Sequence, residues 1–411
     1  MYDVIVVGAR CAGSSLAMLL ARRGHRVLVV DRSTFPSDTI STHYIQQTGL
    51  ARLRDWGLLD SVAATGVPAM KHLTLSYTGI HVEGFADPIE GITEVYSPRR
   101  TVLDKILVDA ARAAGAEVVE GFTVQNVIFE DGRAVGIRGQ FGDESEKEFR
   151  GSFVVGADGR NSTVADQVSA DFYRVVPATC FVYYSYFGNL DWSFQHRTSF
   201  NQQQIGAWPT NDGLHLVSLL RRREHFSEFR ADVENSFHAV YDEVVPDLGE
   251  DLRTNGKRAE NFRVMRYPDN YYRRSNGPGW ALVGDAGYHK DPFTGWGITD
   301  AFLYAELLAD HLHQGLSQER PVDDAVADYA RIRDERSKGT FEFTCVLSEL
   351  TLPPFFEAVL RATSQSPEYT KKFFGLMAGG IHGEEFFAPE NLEKLYEEVG
   401  TPRDERLLKA A

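Results

Sequence analysis

Gly8-Ala9-Arg10-Cys11-Ala12-Gly13 has the spacing of a turn that holds a phosphate. It follows a β-branched run, Val4 to Val7, and opens a helical pattern with Leu16, Leu19 and Leu20 on one face. In that setting Gly8 permits the tight turn and Gly13 lets helix and strand approach. Backbone N–H groups around Cys11 and Ala12 then face a pyrophosphate. Cys11 reads as a small packing residue rather than a redox thiol. The middle glycine of the G-x-G-x-x-G pattern is replaced by Arg10, which must turn aside or reach the anion itself. Asp31 ends the next apolar run, with Arg32 after it. A carboxylate there accepts ribose hydroxyls and disfavours a 2′-phosphate, so the nucleotide at this turn is not NADP.

Four further stretches carry polar groups at strand ends or helix starts. They are Arg100-Thr101-Val102-Leu103-Asp104-Lys105-Ile106-Leu107, Gly156-Ala157-Asp158-Gly159, Gly284-Asp285-Ala286, and Pro292-Phe293-Thr294-Gly295-Trp296-Gly297-Ile298. In this order and at these spacings, the chain resembles flavoprotein monooxygenases of the para-hydroxybenzoate hydroxylase type and the related geranylgeranyl reductases. The resemblance spans roughly residues 1–60, 98–165 and 275–315.

The resemblance implies FAD as cofactor and NAD(P)H as electron donor, unless a separate flavin reductase supplies the electrons. It puts the ribose on Asp31 with Arg32 beside it, and flavin-nucleotide contacts on Arg100 and Val124. Asp158 falls on the D-G motif that serves both FAD and nicotinamide, and its alternative role is to cap the following turn. Gly284 and Asp285 fall on the ribityl or phosphate contacts. Pro292, Gly295, Trp296, Gly297 and Ile298 fall on the turn beside the flavin ring, where a helix N-terminus stabilises the anionic reduced flavin. Trp296 stands where the hydroxylases usually have a small or amide residue.

Chemistry on a substrate needs further groups. His43, His289 and Lys290 are the candidates, because the resemblance puts their segments beside the ring, where they could orient substrate or take a phenolic proton. Each could equally be a structural hydrogen-bonding residue. Tyr183, Tyr184, Tyr186, Trp192 and Trp208 read as sheet core, with alternate members free to wall an apolar pocket. Lys71 is the one residue resembling the catalytic lysine of flavin-dependent halogenases, but the W-x-W-x-I-P signature of those enzymes is absent.

The expected activity is an FAD-dependent monooxygenation. Reduced flavin would meet O2, form a C4a-hydroperoxide and pass one oxygen to an aromatic or polyketide-like small molecule. Reduction of isoprenoid double bonds is the alternative, ahead of halogenation and of an interaction protein that has lost catalysis. A central sheet that is short and aromatic, rather than a long apolar tunnel, favours the monooxygenase over the reductase.

These residues need a scaffold that brings both ends of the chain together. Continuous apolar strands around an amphipathic helix predict a βαβ unit in a parallel sheet. Asp131-Gly132 predicts a hairpin within 125–138, and aromatic, β-rich sequence from Thr179 to about His225 predicts an antiparallel sheet. The fold class is α/β, α+β overall. It comprises a Rossmann-like FAD-binding domain (1–70, 99–172 and 275–325), an inserted antiparallel substrate domain (71–98 and 173–274), and a C-terminal helical region (326–411).

The 411 residues carry 43 Lys and Arg against 58 Asp and Glu, a net charge of −15. An acidic surface repels nucleic acid and anionic lipid, so the expected partner is a small molecule. No apolar run is long enough for a membrane helix, and no signal-peptide pattern opens the sequence. Three scattered cysteines build neither a disulfide framework nor a zinc site. A cytoplasmic protein without a metal is expected.

Overall fold

A run as apolar as Val4–Val7 is stable only where both sheet faces are covered. The computed structural model, which describes residues 1–266 and 268–400, meets that need with a central parallel sheet. Its strands run in the order Trp280–Leu282, Lys147–Gly156, Tyr2–Val7, Val27–Asp31 and Glu117–Glu120. Val4 and Val6 face helices Cys11–Arg22, Arg100–Ala113 and Gly297–Leu316. Ile5 and Val7 face an antiparallel layer built by Phe122–Glu130 and Arg133–Phe141. Asp131 and Gly132 both have positive φ, 49° and 77°, which is the turn that the Asp-Gly pair favours.

The inserted sheet runs Lys257–Arg258, Cys180–Gly188, His215–Arg222, Gln203–Pro209, Phe194–Thr198, Leu73–Tyr77 and Ile80–Gly84. It is antiparallel except at one junction. Phe194–Thr198 runs parallel to Leu73–Tyr77, because the two strands come from segments separated by a stretch of the cofactor-side layer. Alternation along Cys180–Gly188 divides its aromatics. Phe181, Tyr183 and Phe187 pack under helix Val233–Val244 and its neighbours, while Tyr184 and Tyr186 face the opposite side. Trp192 lies on the outer side, its indole N–H donating to Asp251 at 2.6 Å.

The chain beyond 326 does more than append helices. Leu347, Leu360, Phe373, Phe374 and Leu395 share one core with Leu73, Leu75, Val182 and Tyr184, so the C-terminal helices cover the inner face of the inserted sheet. Among the described residues, no helix is long and apolar enough to cross a membrane.

Candidate active site

Helix Cys11–Arg22 begins without a side-chain cap at Arg10 and without an acid in its first turn. Its leading N–H groups thus keep their capacity for an anion. Gly8 has φ +102°, and a Cβ there would meet the Ala157 carbonyl at 2.4 Å. A Cβ on Gly13 would lie 1.8 Å from the Gly8 oxygen. Both glycines are required by close backbone packing. Asp31 is buried, and its carboxylate accepts from Ala9 N at 2.7 Å and Ser33 N at 2.8 Å. It is thereby fixed at the mouth of the turn. Arg32 is exposed beside it, whereas Val124 is buried with its backbone paired to Gly139.

Arg10 turns aside, and the reason is Asp104. The fully buried Asp104 carboxylate accepts from Arg10 at 2.6 Å, pairs with Arg100 at 2.9 Å and meets the Cys11 thiol at 3.4 Å. Burial and the adjacent carboxylate push the Cys11 thiol up to about 12, so it stays protonated, as its packing role requires. Asp104 had no role in the sequence reading, although it lies within the same motif as Arg100. Gly284, at φ +63°, abuts Ala12. That contact brings Asp285 to the same helix start, within the field of Arg100. Burial opposes the charge on Asp285, yet His289, Arg160 and Lys290 hold it below the usual carboxylate range.

Asp158 accepts from Ser162 Oγ at 2.5 Å and from Val164 N at 3.2 Å. Its carboxylate therefore adds an acceptor to the first turn of the short helix Thr163–Gln167, which Ser162 caps by accepting from Ala165 N at 2.9 Å.

The turn Pro292–Thr294 leads through Gly295, at φ +68°, to helix Gly297–Leu316. Asp291 caps its start, accepting from Phe293 N at 3.1 Å. Tyr44 packs on Gly295, where a Cβ would meet its ring at 2.9 Å. A side chain added at Gly297 would meet nothing within 4 Å, so the helix opens onto free space. Trp296 behaves differently from its neighbours. Its indole N–H donates to the Met377 carbonyl at 2.9 Å and its ring fills the space beside Gly379. The side chain therefore pins the C-terminal segment and contributes only backbone to the turn.

Against this turn lies an apolar cavity. Tyr44, Phe194, Trp208, Phe293, Phe374 and Met377 supply its bulk. Its polar groups are few. His196 and Gln204 sit on adjacent strands, Gln46 hangs from the loop before helix Gln47–Asp55, and among the described residues no lysine or arginine lines it. Burial pulls His196 down to about 4, while Gln204 favours its charged form only weakly, so the ring is neutral. Gln46 Nε2 donates to Thr294 O at 3.1 Å, tying that loop to the turn. The sequence reading passed over His196 because its signal, a polar residue amid alternating apolar ones, is also that of an ordinary strand. It missed Phe374 and Met377 because nothing local links a C-terminal helix to a turn more than 80 residues earlier.

The three residues expected to act on substrate do not line this cavity. His43 is fully buried, with φ +64°, and its Nε2 is hydrogen-bonded to the Tyr186 hydroxyl. Burial, then Arg100, pull it down to about 3. Left-handed backbone at a non-glycine residue is strained and persists only where its surroundings hold it. Here Ser41 Oγ accepts from His43 N at 3.0 Å. His289 is buried with Nδ1 3.5 Å from Asp285, on the cofactor side. Lys290 is buried in an ion pair with Asp300 and donates to Tyr288 Oη at 2.9 Å, beneath the helix start. Lys71 is solvent-exposed at 64% and faces Glu94. Among the described residues, no group of three or more His, Cys, Asp or Glu is placed to hold a metal.

These features fit FAD. An uncapped helix start beside Asp31 would take the dinucleotide end, Asp285 follows Gly284, which abuts that helix start, and the helix start at Gly297 would take the ring. When bound, FAD supplies the redox chemistry and the protein supplies orientation and electrostatics.

Comparison with known proteins agrees. The chain is 24% identical over 333 residues to a 1H-pyrrole-2-carbonyl-[peptidyl-carrier protein] brominase of Pseudoalteromonas luteoviolacea, covering 77% of this chain and 78% of that one. It is 23% identical over 387 residues to a kynurenine 3-monooxygenase of Christiangramia forsetii, covering 86% and 82%. The solved structure of the flavin-dependent brominase Bmp2 superposes with a TM-score of 0.81 at 18% identity, over 97% of this chain and 99% of that one. The model of the family described as "FAD binding domain" matches residues 1–344. The chain belongs to that FAD binding domain family and is an FAD-dependent oxidoreductase.

Proposed function

We propose that the protein is an FAD-dependent monooxygenase that places one oxygen atom from O2 on an uncharged, largely apolar aromatic or polyketide-like small molecule. One observation carries this reading: an apolar cavity lies directly against the Pro292–Gly295 turn and is walled by aromatic side chains. Such walls exclude water from the reacting atoms, which oxygen transfer requires. Tyr44 and Phe293 fix how near a substrate ring comes to the turn, and His196 offers a neutral donor or acceptor for one polar atom. His43 acts by holding Tyr186 and the loop before Tyr44. His289 and Lys290 hold Asp285 and Asp300 on the cofactor side. Electrons come from NADH or NADPH, or from a separate flavin reductase. The three cysteines are free, which suits a reducing compartment such as the cytoplasm.

The deciding experiment reduces the FAD-loaded protein anaerobically with NADH or NADPH, admits 18O2 and screens aromatic substrates by mass spectrometry. One 18O atom in the product is the expected outcome. Saturation of a double bond without oxygen would move the assignment to a reductase.

Halogenation is the second reading, favoured by the likeness to the pyrrolyl brominase. The exposure of Lys71 and the lack of a lysine in the cavity wall among the described residues weigh against it. Product formation that depends on added bromide or chloride would establish it.

A further inference from the structure

A second apolar chamber adjoins the first. It lies between the inserted sheet and the C-terminal helices, with Phe343, Leu352, Phe356, Val359, Leu360 and Phe387 in its wall. The two chambers share Leu75, His196, Phe293 and Met377. They therefore meet at one partition, where His196 stands edge-on to Phe293 with ring centroids 5.0 Å apart. Among the described residues, no charged side chain lines either chamber. The first touches the Pro292–Gly295 turn. The second touches that turn only through Phe293 and is walled almost wholly by hydrocarbon.

We infer that the substrate is an elongated, uncharged molecule. Its planar head lies against the Pro292–Gly295 turn, and its hydrocarbon tail passes the His196–Phe293 partition into the second chamber. His196 stands at the junction of head and tail, where it hydrogen-bonds a polar atom of the head. This inference rests on the proposed placement of substrate at that turn. It goes further by naming the substrate's shape and the part of the fold that measures its length. Two features support it. The partition carries Met377, an unbranched side chain that adapts its shape to what packs against it, beside the Phe293 ring. A wall without a cation leaves a carboxylate unpaired at a cost that excludes it.

The test uses FAD-loaded protein without an electron donor, so that binding is read apart from turnover. Calorimetry with 4-methyl-, 4-butyl-, 4-heptyl- and 4-nonylphenol should show affinity rising with chain length, by up to about fourfold per methylene that leaves water. Val359→Phe and Leu352→Phe each fill the second chamber. They should abolish the gain from butyl to heptyl while 4-methylphenol binds within twofold of wild type. Phe356→Ala enlarges the chamber and should extend the gain to the nonyl chain, so the idea stays exposed even if a filled variant fails to fold. His196→Leu should weaken the phenols at least fivefold but not 4-heptyltoluene, and His196→Gln should recover most of the loss. Anionic 4-heptylbenzoate should not bind. Affinity flat beyond the methyl compound, or identical length dependence in wild type, Val359→Phe and Phe356→Ala, would overturn the inference. A length-dependent site whose ligands never acquire 18O would instead leave the two-chamber assignment standing and remove the monooxygenase.

Discussion

Arg10 and Asp104, 94 residues apart in sequence, form an ion pair of 2.6 Å at the start of the first helix. Arg10 occupies the place where the nucleotide-binding pattern has its middle glycine. Asp104 holds its side chain in that pair, and the same carboxylate holds Arg100 at 2.9 Å. Breaking a buried pair from one side leaves an uncompensated charge and costs about 3–5 kcal/mol. Asp104→Ala should therefore lower the melting temperature and strip FAD during purification. Arg10→Gly should cost less, because Asp104 keeps Arg100. Equal FAD retention in Asp104→Ala and wild type, by absorbance after gel filtration, would show that the cluster does not support the cofactor.

Asp31→Ala should weaken FAD by about 1.5–3 kcal/mol, the scale of hydrogen bonds to a charged group. The carboxylate is already held by Ala9 N and Ser33 N, so no reorganisation offsets the loss. Flavin fluorescence titration of apoprotein checks this, and an unchanged Kd would detach Asp31 from the ribose.

His43 and Asp285 should separate by phenotype. Asp285→Ala should lose FAD more than His43→Ala does, while His43→Ala should lower kcat more, since it releases Tyr186 and the loop leading to Tyr44. Reversal of that order would exchange the sides assigned to the two residues.

Stability should fall as the solution is acidified. His196 titrates near 4 in the fold against an ordinary value of 6.5, and His43 near 3. Between those values the unfolded chain binds protons that the native state refuses, so stability is lost from about pH 6.5 downward. His196→Gln should remove its share, on the order of 3 kcal/mol at pH 4. Asp291 has the opposite sign. Burial pushes it up to about 6 from 3.8, so its charged form burdens the fold above pH 6. Asp291→Asn keeps an acceptor for Phe293 N and should raise the melting temperature at pH 8 but not at pH 4. Melting curves across pH 4–8 for both variants provide the measurement.

Trp296→Phe deletes the bond to the Met377 carbonyl and should cost about 1 kcal/mol, whereas Trp296→Ala opens a cavity and should cost about 3–5 kcal/mol. Both should speed limited proteolysis within 378–400 more than elsewhere. Cleavage rates equal to wild type would mean that Trp296 does not anchor the C-terminal segment.

What could be read from the sequence is what the backbone requires locally. Gly8 and Gly13 announce a strand–turn–helix because only glycine fits those contacts. Asp131-Gly132 announces a hairpin because both positions need positive φ, and Asp31 ends a strand whose buried register leaves one exit for a carboxylate. Each of these signals is complete within a few residues, so the FAD-binding layer was legible. The cavity was not. Tyr44, His196, Phe293 and Met377 come from four segments spread over more than 300 residues, and each has an ordinary packing role where it stands. Alternation predicted that aromatics of Cys180–Gly188 would divide between faces, but not which face the C-terminal helices would cover. Likewise Arg10 and Trp296 were recognisable as departures from pattern, yet their partners, Asp104 and Met377, lie far along the chain. Whether a side chain meets a cofactor, a substrate or another helix depends on long-range packing, and only the tertiary structure decides it.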